Sequence, residues 1–276
     1  MIKVVNKMAA KIYTITSGKG GTGKSMFAVN LAAALAGLAK KTLLIDADLG
    51  MANIDLMLGL ENNKITLHEV LADEANVTDT LCDGPNGLKI LPCGISLQGF
   101  KKADPSKLKD VISEMAPNFE FIIIDTPTGM NHITATCIEL CNEVLLVLTP
   151  EMTAIADGSK MKTIAALLGK EVTGMVLNRT MPVHDEPYRE KLAKSLDMKI
   201  LEVLPEDVSV PNSITGKSPV VIKYPYSEIS IAMNRLGAAL CGIKIPELEE
   251  GKGQKKQKTE KARLSGAKLP FSQSKK

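Results

Sequence analysis

Short, continuous apolar runs recur along this chain at intervals, with amphipathic stretches between most of them. Lys11–Thr16 (KIYTIT), Thr42–Ile45 (TLLI), Leu88–Leu91, Phe121–Ile124, Val144–Leu148, Val172–Leu177 and Ile200–Leu204 have the length and composition of strands buried on both faces. Between the first two, Phe27, Leu31, Leu35 and Leu38 fall at helical spacing and predict a helix over Met26–Leu38. Asp104-Pro105 has the form of a helix start, and Thr66-Leu67-His68-Glu69 has capping-box spacing. Strand alternating with helix predicts an α/β fold: a doubly wound, mostly parallel sheet flanked by helices. Such sheets bind ligands beyond the carboxyl ends of their strands. The polar or turn residues there, Ser17, Asp46, Asp48, Asp125, Pro150 and Asn178, are therefore expected to gather along one edge.

The first turn carries the sharpest chemistry. Gly18-Lys19-Gly20-Gly21-Thr22-Gly23-Lys24-Ser25 fits G-x-x-x-x-G-K-[ST], with a strand pattern before it and a helical pattern after. Glycines let the backbone curl so that successive N–H groups face one anion, and the helix N-terminus adds its positive dipole end. ATP is the expected ligand, with Lys24 on the β/γ phosphates and Ser25 on Mg²⁺. Asp125, closing FIIID, is placed to hold the same Mg²⁺. Asp46 and Asp48 stand at i, i+2 after the TLLI strand, so an extended backbone would send both carboxylates to one side.

These motifs together resemble the deviant Walker A ATPases of the MinD/ParA family. KGGTGKS, with Lys19 five residues before Lys24, is similar to the family's phosphate loop. Asp46–Leu60 (DADLGMANIDLMLGL) resembles its switch I, and Asp125–Gly129 (DTPTG) its switch II, with Thr128 where the family usually has Ala. Thr149–Asp157 and Val176–Arg179 are similar to later family blocks, and Ile65–Leu108 looks closest to the archaeal MinD-like group. The resemblance spans about residues 9–245. It implies an ATP-dependent homodimer in which Lys19 reaches the partner's ATP phosphates. Asp48 would position the attacking water, Asp46 support the Mg²⁺ shell and Asn178 contact the adenine. Asn53, Glu151 and Asp157 would lie near the dimer or partner surface. Slow hydrolysis would then control the position of division or other cellular machinery through an unidentified protein partner or activator. The family's catalytic residues would be Lys19, Lys24 and Asp48.

Composition narrows the setting. With 45% hydrophobic and 24% charged residues the chain is ordinarily globular, and it has neither a signal-peptide pattern nor an apolar run of the ~18–20 residues that span a bilayer. A cytoplasmic protein is expected, with peripheral contact at the inner membrane surface left open. Charge is divided unevenly. Residues 251–276 hold nine Lys/Arg against one acid, a net +8, whereas the preceding 250 residues hold 25 bases and 30 acids, a net −5. Residues 1–245 are thus read as the P-loop ATPase domain. Residues 246–276 are read as a disordered basic tail that is merely solvated or makes a weak contact with an anionic membrane or nucleic acid. The tail lacks the amphipathic, Phe/Leu-rich helix that ends bacterial MinD.

An iron–sulfur-carrying or metabolic ATPase of the same fold is the alternative. Cys137 and Cys141 are four apart on an expected helix, and Cys93 follows a strand. C-x-x-C spacing is absent, and the five widely spaced cysteines read more simply as reduced thiols. His68, His132 and His184 are scattered and are expected in surface or capping roles.

Overall fold

The computed structural model describes residues 10–63 and 65–243. The basic tail expected over 246–276 lies outside the described residues. Eight strands form one sheet: β1 (Lys11–Thr16), β2 (Thr42–Asp46), β3 (Cys82–Asp83), β4 (Lys89–Leu91), β5 (Phe121–Asp125), β6 (Glu143–Leu148), β7 (Val172–Thr180) and β8 (Ile200–Pro205). Their order is β3-β4-β2-β5-β1-β6-β7-β8, and every pairing is parallel except β3 with β4. The expected doubly wound, mostly parallel sheet is therefore present.

Alternation along the strands feeds two cores. Ile12, Leu43, Ile45, Ile122, Ile124, Leu146 and Leu148 point to one face, and Tyr13, Ile15, Leu44, Ile123, Leu145 and Val147 to the other. Because both sets are apolar, these strands read as continuous runs rather than as alternating ones.

The helices are α1 (Lys24–Gly37), α2 (Ile54–Leu58), α3 (Leu67–Leu71), α4 (Leu97–Lys102), α5 (Leu108–Met115), α6 (His132–Leu140), α7 (Met152–Leu167), α8 (Glu186–Leu196), α9 (Ser209–Thr215), α10 (Val220–Lys223) and α11 (Glu228–Leu240). Phe27, Leu31 and Leu35 of α1 pack in one core with Val220 of α10 and Met233 and Leu236 of α11. Val111, Ile112, Ile138, Met161 and Leu192, from α5 to α8, fill the other. Gly237 lets α11 approach α1 closely, since a Cβ there would already touch the Ala34 methyl at 3.4 Å.

Local signals operate as their spacing suggests. Glu69 accepts hydrogen bonds from the Thr66 amide at 2.8 Å and hydroxyl at 2.6 Å, closing the capping box of α3. Asp104 accepts from the Ser106 amide at 3.0 Å and opens a 3₁₀ turn, Pro105–Lys107, that leads into α5.

Chain order reverses around β1, with β5 on one side and β6 on the other, so the β1–α1 turn leaves the sheet at its switch point. Parallel register then sets the acids. Asp125 of β5 pairs with Ile15 of β1 on one side and with Asp46 of β2 on the other.

Buried Asn30 ties α1 to α10: its side-chain amide donates to Met26 O at 2.8 Å, and its Oδ1 accepts from the Val221 amide at 3.2 Å. Asn30→Ala would strand that buried amide. The variant is expected to lose about 1–3 kcal/mol of stability, read as a lower urea midpoint at unchanged slope.

Candidate functional site

The glycine-rich turn takes its shape from close neighbours. Gly21 and Gly23 have φ of +79° and +87°, a region that penalises any side chain. A Cβ at Gly23 would stand 2.3 Å from Asn178 Nδ2, and that amide donates to Thr22 O at 2.8 Å. β7 thus clamps the loop from the side through Asn178. At the other end, a Cβ at Gly18 would fall 2.5 Å from Asp157 Cβ and 2.6 Å from its carbonyl. Only glycine lets the loop lie against α7 there.

Lys24, the first residue of α1, is buried and donates to Asp125 Oδ1 at 2.8 Å. Burial pushes the Asp125 carboxyl above its usual range, and the Lys24 ammonium opposes that rise. Asp125 Oδ2 is buried without a partner, as is Thr22 Oγ1. A carboxylate oxygen and a hydroxyl left this way cost free energy until a ligand satisfies them. The donor set is all oxygen plus one ammonium, which suits a hard divalent cation and a phosphate group.

The two acids after β2 part company. The strand ends at Asp46 and the chain turns, with Leu49 N bonded to Ala47 O and Met51 N to Asp48 O. Asp46 faces the turn it precedes: Oδ1 accepts from the Asp48 amide at 3.0 Å, and Oδ2 from the Asn53 and Ile54 amides at 3.3 and 3.2 Å. Burial, then the neighbouring Asp125, raises the Asp46 carboxyl well above its ordinary value. Asp48 instead borders the open site; burial raises it too, against the pull of the Met51 amide and Lys24.

A cavity of about 350 Å³ opens over the loop, lined by Lys19, Gly21 to Ser25, Asp48 and Asn178. Gly18, Gly20, Asp46 and Asp125 are not among the lining residues. The lining continues through Arg179, Pro205, Glu206, Asp207, Val210, Pro211 and Ile214, a segment of mixed charged and apolar residues that sequence reasoning missed. The signal was the break after β8, where Pro205 and Pro211 bracket a polar turn.

Lys19 sits outside the phosphate curl, bonded to Glu151 Oε2 and to Thr153 Oγ1 at 3.0 Å. Asp157 pairs with Lys160, and Asn53 donates to Met51 O. His68, expected at the surface or in a cap, is instead 1% exposed and bonded to the Leu49 carbonyl. Cys93, Cys137 and Cys141 are all buried, and burial raises each thiol. Among the described residues no group of three or more His, Cys, Asp or Glu could hold a metal ion.

The sequence profile of the CobQ/CobB/MinD/ParA nucleotide-binding domain matches residues 13–220. An uncharacterized ATP-binding protein of Methanocaldococcus jannaschii is 39% identical over 238 residues, covering 86% of this chain and 90% of that protein. The septum site-determining protein MinD of Synechocystis is 32% identical over 250 residues, covering 87% and 92%. The structure is similar to that of the septum site-determining protein MinD of Pyrococcus horikoshii complexed with Mg-ADP, with a TM-score of 0.78 and 33% identity over 84% of this chain and 96% of that one.

The loop's steric limits are testable by substitution. Gly18→Ala drives a methyl into Asp157 backbone and is expected to cost about 1–3 kcal/mol. Gly20→Ala meets only the Thr128 methyl at 3.4 Å and is expected to stay within about 0.5 kcal/mol of wild type. Thermal unfolding of the two variants makes the comparison.

Proposed function

The chain belongs to the CobQ/CobB/MinD/ParA nucleotide-binding family, and on that premise we propose that it is a Mg-ATP-dependent switch that dimerises on ATP, hydrolyses it slowly and so positions cellular machinery. The observation that carries this reading is the buried Lys24–Asp125 pair beneath the loop, with Asp125 Oδ2 unpartnered. That arrangement is charge-balanced yet incomplete, as a site for a metal–phosphate group should be.

In this reading the loop amides from Gly18 to Ser25 cradle the phosphates, and Lys24 exchanges Asp125 for the β/γ oxygens. Asp125 and Ser25 would hold Mg²⁺, which would supply positive charge beside those oxygens. A carboxylate offers about four lone-pair sites, and three amides already occupy Asp46. Asp46 would therefore support the metal shell only through its remaining site, by way of water. Asp48, at the cavity wall, orients the attacking water. Asn178 holds the loop and faces the base, and the apolar Val210 and Pro211 receive the adenine face.

Lys19 is the residue that crosses to a second copy. Its bond to Glu151 is an exposed ion pair, worth little to stability and easily exchanged for a partner's phosphates. The positioning role rests on likeness to the septum site-determining proteins. The reading includes an unidentified protein partner or activator, and the basic tail would add at most a weak contact with an anionic membrane or nucleic acid. Among the described residues no helix is long and apolar enough to cross a membrane. The iron–sulfur reading gains no support, because Cys93, Cys137 and Cys141 are interior.

Lys24→Ala should lower ATP hydrolysis by at least about a hundredfold, since no other side chain can supply that charge. Turnover at the wild-type rate would remove the site assignment. Chelating Mg²⁺ should abolish hydrolysis in the unmodified chain.

Assembly is read separately, by light scattering. Asp48→Ala should be dimeric in Mg-ATP and monomeric in ADP. Adding Lys19→Ala should leave a monomer in both that still binds nucleotide. A dimer indifferent to nucleotide would defeat the switch.

A further inference from the structure

Leu49 directly follows the carboxylate assigned to the attacking water, and its carbonyl meets a side chain from elsewhere in the fold. His68 Nε2 lies 2.9 Å from Leu49 O, across 19 residues of sequence. A carbonyl has no proton to give, so Nε2 carries the hydrogen and donates.

The ring has little freedom. It lies on α3, whose start is fixed by the Thr66–Glu69 capping box. Cys93 Sγ is 3.5 Å from the same nitrogen, and Phe100 stands edge-on with ring centroids 6.4 Å apart. Gly99 passes so close that a Cβ there would be 2.8 Å from His68 Cβ and 3.0 Å from Nδ1. His68 Nδ1 is buried without a hydrogen-bond partner. A leucine in this pocket would avoid the cost of that bare nitrogen. What histidine supplies and leucine cannot is the N–H aimed at Leu49.

The turn bearing Asp48 is thus gripped twice. Asp46 holds its base through the amides of Asp48, Asn53 and Ile54, and His68 holds the carbonyl that follows Asp48. We propose that His68 is a positioning residue for ATP hydrolysis: by fixing the Leu49 carbonyl it sets the aim of the Asp48 carboxylate. The inference rests on the reading of Asp48 as the residue that orients water.

The test uses the full chain with Mg-ATP. His68→Leu is expected to lower kcat about tenfold, as sub-ångström misplacement of a catalytic group does, with KM and ADP affinity changed less than about twofold. His68→Gln, whose amide can approach the position of Nε2, should recover most of the rate. In an Asp48→Ala background, His68→Leu should add nothing to the residual single-turnover rate. A wild-type kcat in His68→Leu, a glutamine variant as slow as the leucine one, nucleotide affinity falling in step with kcat, or a full additional loss without Asp48 would each overturn the proposal. Nitrogen NMR of the unmodified chain tests it without relying on a folded variant: a slowly exchanging Nε2–H is expected, and a Nδ1–H tautomer would refute it. Unimpaired hydrolysis by Asp48→Ala alone is a different result, and it would remove the water-orienting role itself.

Discussion

Two carboxylates stand side by side at the carboxyl edge of the sheet because parallel register pairs Asp46 with Asp125. Burying adjacent acids is costly: burial pushes both toward the neutral form, and the neighbouring Asp125 pushes Asp46 further. Lys24 opposes that tendency at Asp125, and backbone amides oppose it at Asp46. Lys24 can reach Asp125 only because α1 starts where it does. That start depends on the left-handed backbone at Gly23, a position Asn178 leaves no room to enlarge. Sheet register, loop shape and helix start are thus three conditions on one ion pair. Losing one member of such a pair leaves a buried charge alone, typically at a cost of about 3–5 kcal/mol.

The same pair explains why a site built for anions can fold without one. A buried ammonium facing only backbone N–H groups would be unstable, and Asp125 supplies the counter-charge. In the proposed reading, a metal and a phosphate entering together would bring a cation for Asp125 and an anion for Lys24. Each partner could then leave the other without a net charge being stranded. Ligand binding to this folded arrangement adds to its stability by mass action.

Much of the sheet was legible because its signal is local. Each of the seven apolar runs became a strand, with ends moved by a residue or a few, as at Val172–Thr180. β3 was not seen, since Cys82–Asp83 has only two residues and no apolar run. The loop, Lys24 and Asp125 were visible as motifs. That Asp46 is taken up by the amides of the following turn while Asp48 lines the cavity was not, because those amides are brought to it only by the folded turn. The part of the cavity lining from 205 to 214 and the His68–Leu49 bond come from tertiary packing: Pro205 and Val210 reach the loop only once β8 lies at the sheet edge, and a lone histidine carries no mark of which distant carbonyl it will meet.

Lys19 and Lys24 share one loop, five residues apart, yet their environments differ in kind. Lys24 is 7% exposed and its ion pair is shielded from solvent, whereas Lys19 is 38% exposed and its carboxylate partner 60%. Water and salt screen the second pair, so its net worth is small. A lysine held by so little, on the outer lip of a phosphate loop, can be recruited by a stronger anion without disturbing the fold. Glu151 precedes α7, and α7 also lies against Gly18 through Asp157. The segment that holds Lys19 is thus the one that bears on the loop's first glycine. Withdrawing Lys19 toward a second copy's phosphates would free the start of α7 on the outer surface while leaving Lys24 and the interior charge balance untouched. In the proposed reading, binding within the chain and pairing between chains would fall to two lysines whose burial already differs.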